Sequence, residues 1–64
     1  MKRVAIVSLY AGNRFQFEGN PFVLLSEREG DRLVAIREDR APSRQTFEQD
    51  ALVSVPAHSR QRLI

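Results

Sequence analysis

Two apolar runs on either side of a polar break dominate the middle of the chain. They are Phe22-Val23-Leu24-Leu25 and Leu33-Val34-Ala35-Ile36, with Ser26-Glu27-Arg28-Glu29-Gly30-Asp31-Arg32 between them. Gly30 can take a positive φ without steric penalty, so Pro21 to Glu38 reads as a β-hairpin with the polar break as its loop. Just ahead, Arg14-Phe15-Gln16-Phe17-Glu18 alternates strictly, with both Phe on one side and the polar residues on the other. That is the period of a half-buried strand. Val4 to Tyr10 reads as an earlier strand whose two alternate sets are both largely apolar. Such a strand is covered on both sides, or presents its second face to a partner. Turns are expected at Ala11-Gly12-Asn13 and at Gly19-Asn20-Pro21.

Downstream, Asp39 to Ser43 reads as a surface loop and Gln45 to Glu48 as a short strand anchored by Phe47. Glu48 to Leu52 would suit one helical turn, because Asp50 can bond nearby backbone N–H groups. Val53 to Val55 is a last short strand, closed by Pro56. The expected architecture is all-β: five or six short strands, tight turns, at most one short helical turn and no long helix. Closure into a small barrel is favoured, since an open sheet would expose long edges. Residues 1–56 form the single domain. Residues 57–64 form a basic tail, expected to fray, in which only Leu63 and Ile64 are large and apolar.

Length and composition narrow the chemistry. At 64 residues the chain is near the lower limit for an independent core. With no Cys and one His, it has no disulfide and no Cys-based zinc site, which fits a reducing, cytoplasmic setting. No apolar run approaches the roughly 20 residues of a membrane span. The start, Met1 to Val7, is not read as a signal peptide, because Ser8, Tyr10 and Gly12 cut its apolar run short. Net charge is +2, with nine of the ten cations Arg. Both ends are basic and the middle, 26–50, holds seven of the eight acids. A basic patch therefore forms only if the two ends meet in space.

The stretch Gly12-Asn13-Arg14-Phe15-Gln16-Phe17-Glu18-Gly19-Asn20-Pro21-Phe22-Val23-Leu24 resembles the G-D-R-F-x-F-x-G-x-x-Y-x-V opening of small SH3-like or Tudor-like barrels. Together with the hairpin and the ending Phe47-Glu48-Gln49-Asp50-Ala51-Leu52, it is similar to barrel modules attached to transposases and integrases of mobile elements. The chain departs from the pattern in Asn13, where Asp is usual, and in the apolar strand that precedes it. The resemblance implies an SH3-like barrel without catalytic activity that contacts DNA, RNA or a protein, in a bacterium, phage or mobile element.

The residues taken alone also point away from catalysis. A nucleophile needs a base within reach, and His58 is the only imidazole. Glu27, Glu29 and Asp31 are interleaved with Arg28 and Arg32, which compete for any cation those carboxylates would bind. No cofactor is expected. Two binding roles remain open. Nucleic-acid binders on small barrels combine cations with exposed aromatics, and the candidates are Lys2, Arg3, Tyr10, Arg14, Arg60 and Arg62. The four Phe are expected in the core. Alternatively, Val4, Ala5, Ile6, Val7 and Leu9 of the first strand form a protein interface, with a host protein or as a homodimer.

Overall fold

The chain's turn chemistry sets the path of the sheet. A computed structural model describes residues 1–39 and 43–57. Six strands form one antiparallel sheet: β1 (Lys2–Ala5), β2 (Arg14–Phe17), β3 (Asn20–Glu29), β4 (Arg32–Arg37), β5 (Arg44–Phe47) and β6 (Leu52–Val55), in the spatial order β1-β6-β2-β3-β4-β5. No helix among the described residues is long and apolar enough to cross a membrane.

The β2–β3 turn is tighter than the sequence pattern indicates. Glu18 and Gly19 occupy it with φ of 52° and 79°, and Phe17 already faces Asn20 across the ladder. Two consecutive positive φ values match the right-handed twist of the flanking strands, which is why two-residue hairpins use them. Asn20 and Pro21, expected in the turn, therefore belong to β3. Pro21 gives no N–H to the ladder, but its carbonyl accepts from the Glu38 N–H at 3.0 Å.

The central hairpin is present with a shorter loop than expected. β3 runs on through Ser26 to Glu29, and Gly30-Asp31 alone makes the turn, with Gly30 at φ 61°. Polar residues continue the strand here because both of its faces meet water and arginine partners. Between Leu24 and Arg28 the ladder slips: four steps along β3 pass against two of β4, from Ala35 to Leu33. Such an irregularity bends a strand and sharpens its twist.

The first strand also ends early. After Ala5 the chain makes one 3₁₀ turn over Ile6–Ser8, closed by Leu9 N–H donating to Ile6 O at 3.0 Å. The Ser8 hydroxyl donates to Ala5 O at 2.7 Å, a local bond that competes with strand pairing. Ile6 and Val7 N–H groups donate to Ala51 O and Gln49 O, which ties this turn to the β5–β6 connection. The helical turn expected at 48–52 is instead a plain turn, in which Ala51 N–H donates to Glu48 O at 3.0 Å.

The inner face carries the core: Phe15, Phe22, Leu24, Leu33, Ala35, Phe47, Val53 and Val55, plugged by Ile6 and Leu9 from the 3₁₀ segment. The ring of Phe47 meets those of Phe15, Phe17 and Phe22 at 5.6, 5.1 and 5.4 Å, each edge to face. In a flat sheet β5 would lie about 14 Å from β2, three strands away at about 4.8 Å each. Contact between these rings therefore requires a strongly curled sheet.

Phe17 is only half-buried, at the margin of this cluster, so its removal opens less of the core than that of Phe47. Phe47→Ala is expected to cost about 3–5 kcal/mol and Phe17→Ala less, read from urea unfolding midpoints. Equal losses would show that Phe47 is not the hub. A second comparison tests the 3₁₀ segment. Ile6, with no exposed surface, should not tolerate Lys, whereas Val7→Lys should retain a native circular dichroism spectrum.

Candidate interaction face

The cations of the sheet fall into two groups. On the β3–β5 half they meet carboxylates. Arg44 reaches Glu27 at 2.6 Å and Glu29 at 3.7 Å, Arg32 lies 3.8 Å from Glu48, and Arg37 forks onto Asp39 at 2.8 and 2.9 Å. The Asp39 hydrogen bond, opposed in part by desolvation, raises the Arg37 guanidinium pKa above its ordinary value. Arg37 also donates to Asn20 Oδ1 at 3.0 Å, so it closes one end of the curl beside Phe22, its register partner.

The Arg44–Glu27 pair joins β5 to β3, so it crosses β4 on the side that carries Val34 and Ile36. Val34 has no exposed surface yet stands outside the core cluster, on the opposite face from Leu33 and Ala35. Arg44 and its bond to Glu27 lie on this same face, with Arg44 in register with Ile36 and Thr46 with Val34. A recess of about 410 Å³ near the hairpin tip is lined by Asp31, Arg32, Glu48, Gln49 and Asp50. Gln49 Nε2 donates to Asp31 O at 3.0 Å and ties the tip to the β5–β6 turn. Among the described residues, no group of three or more His, Cys, Asp or Glu side chains is placed to hold a metal ion.

The β1–β6–β2 half is different. Register places Arg3 opposite Ser54, and Ser54 opposite Gln16. These three side chains share the outer face in a row across three strands, and none bonds another described residue. Arg14, two residues along β2 on the same face, has a side chain 79% exposed, and its ion-pair partner among the described residues is Glu38, at 3.2 Å. An exposed pair of this kind holds its partners weakly. Beside the row, Met1, Arg14, Phe15, Gln16, Pro21, Glu38 and Pro56 line an open recess of about 190 Å³.

The residues expected from sequence thus separate. Arg3 and Arg14 come to one face. Lys2 is on the same edge strand but faces inward beside Val55. Tyr10 is 42% exposed on the turn before β2, outside the row. Arg60, Arg62 and His58 lie outside the described residues. The register Lys2 to Val55 brings the end of β6 beside the start of β1. Of the first-strand set, Ile6 and Leu9 are core, Val4 packs on the core, and Ala5 and Val7 stay half-exposed. Sequence reasoning missed Gln16 and Ser54. Their polar side chains alternate with Phe15 and Val53, but only the β2–β6 pairing makes them neighbours.

Comparisons of the chain with protein-family models, with curated proteins and with solved structures find no match.

The ion pairs on the β3–β5 half are exposed, so their net worth is small. Arg44→Gln is expected to lower stability by less than about 1 kcal/mol in urea unfolding. A loss above about 2 kcal/mol would mean that packing of the arginine stem on the sheet, not the charge, carries the contact.

Proposed function

We propose that the chain is a binding module without catalytic activity, an SH3-like small barrel whose β1–β6–β2 face contacts the phosphate backbone of a nucleic acid. The observation that carries this reading is the Arg3–Ser54–Gln16 row, a guanidinium, a hydroxyl and an amide on one face with no partner among the described residues. These are groups that contact phosphate and sugar oxygens. Arg14 extends the row, and its exposed bond to Glu38 exchanges readily for a phosphate. On the other half of the sheet, arginines and carboxylates serve one another as counter-ions, which supports binding at one face only. The barrel reading is supported by the ring contacts between Phe47 of β5 and Phe15 and Phe17 of β2.

Charge sets the scale of the interaction. The described residues hold seven of the ten cations and all eight acids, so the chain's positive surplus resides in Arg40, Arg60 and Arg62. Arg60 and Arg62 follow Pro56 by four and six positions, and Pro56 borders the recess next to Arg14. Modest, salt-sensitive binding is the outcome this balance supports.

The test is affinity against salt for labelled DNA and RNA. Arg3→Gln should lower the slope of log affinity against log salt by about 0.7 to 0.9, the share of one phosphate contact. Arg28→Gln serves as the control: Arg28 also has no ion pair among the described residues, but it sits at the hairpin tip, away from the row. Equal effects of the two changes, or no binding at low salt, would overturn the proposal.

A further inference from the structure

We infer that the recess beside Gln16 takes one unstacked base, so that the ligand of this face is a single-stranded nucleic acid and not a duplex. The inference rests on the phosphate-binding reading above and names the form of nucleic acid it selects. Size is the first argument. A recess of about 190 Å³ is smaller than the roughly 300–1,000 Å³ of pockets for drug-sized ligands, and suits a single ring system.

Its lining is the second argument. Met1, Pro21 and Pro56 offer apolar surface to the face of a ring. Gln16, Arg14 and Glu38 stand in the same lining, and they offer both donors and acceptors to a base edge. The Gln16 amide makes no bond to another described residue, so it is available for that edge.

Position is the third. Gln16 belongs at once to the recess and to the Arg3–Ser54–Gln16 row. Arg3 lies two strands from it, about 10 Å away at the usual strand spacing, and Arg14 lies two residues along β2 on the same face. A base in the recess is therefore flanked by cations on both sides, as a strand with its phosphates outward requires. A base within a duplex cannot enter, because its edge is paired and its faces are stacked. The described aromatics offer no flat platform in this row, so one base seated in a recess replaces a stacked series.

Short oligonucleotides of one sequence, single-stranded and as a duplex, test this by fluorescence anisotropy. A 2-aminopurine reporter within the single strand reads unstacking directly. The expected result is tighter binding of the single strand, with a rise in 2-aminopurine emission. Gln16→Leu, which keeps the charge, should weaken single-strand binding roughly three- to tenfold and duplex binding by clearly less, since only the single strand loses the base contact along with one backbone contact. Equal affinity for both forms, with no emission change and no effect of Gln16→Leu, would overturn the inference and leave the charged face standing. Failure of both forms to bind at low salt would overturn the function beneath it as well. If poly-L-proline binds instead and Gln16→Leu abolishes it, the recess takes a polypeptide and the inference is overturned in that direction.

Discussion

Contact between Phe47 and the three other phenylalanines is the constraint on which the rest of the fold depends. A six-stranded sheet in which the sixth position in space must touch the third cannot stay flat. The ladder slip in β3, between Leu24 and Arg28, falls where the sheet has to bend, and the two-residue turns at Glu18-Gly19 and Gly30-Asp31 add their own twist. Edge-to-face ring pairs contribute beyond simple burial, by about 0.5–1.5 kcal/mol each. For a domain of this size that is a large share of the total stability. The 3₁₀ turn at Ile6–Ser8 completes the arrangement, since it drops Ile6 and Leu9 onto the core where a continued strand would have carried alternate residues away from it.

Curling has an electrostatic consequence. Once β3, β4 and β5 are drawn together, Glu27 and Glu29 come within reach of Arg44, and Arg14 reaches across β3 to Glu38. Most of these groups are half-exposed or more, so they add little to stability. Their effect is to satisfy charge locally. On the β1–β6–β2 half, Arg3, Ser54 and Gln16 have no such partners among the described residues. Both edge strands are only four residues long and carry Lys2 and Arg3 or Arg44, which discourages strand-to-strand aggregation.

Much of this was legible in the residues themselves. The alternation of Phe15 and Phe17 against Arg14 and Gln16, the paired runs around Gly30, and Gly12 beside Asn13 each dictate a strand or a turn by local sterics and by burial. Those rules act over a few residues, so the all-β class, the central hairpin and most of the core follow from sequence alone. Strand ends do not. Whether Asn20-Pro21 turns or pairs depends on Glu18 taking a positive φ, and nothing in a lone Glu announces that. Likewise Val4 to Tyr10 has the composition of one strand, yet its backbone breaks after Ala5 because Gln49 and Ala51, more than forty residues on, offer their carbonyls to Ile6 and Val7. The candidate interaction face lies furthest from the sequence. Arg3, Gln16 and Ser54 are unremarkable polar residues on three separate strands, and only the pairing of β6 with both β1 and β2 makes them one surface. Local chemistry determined which segments would pair; long-range strand order, set by where the phenylalanines could meet, decided which side chains would stand together.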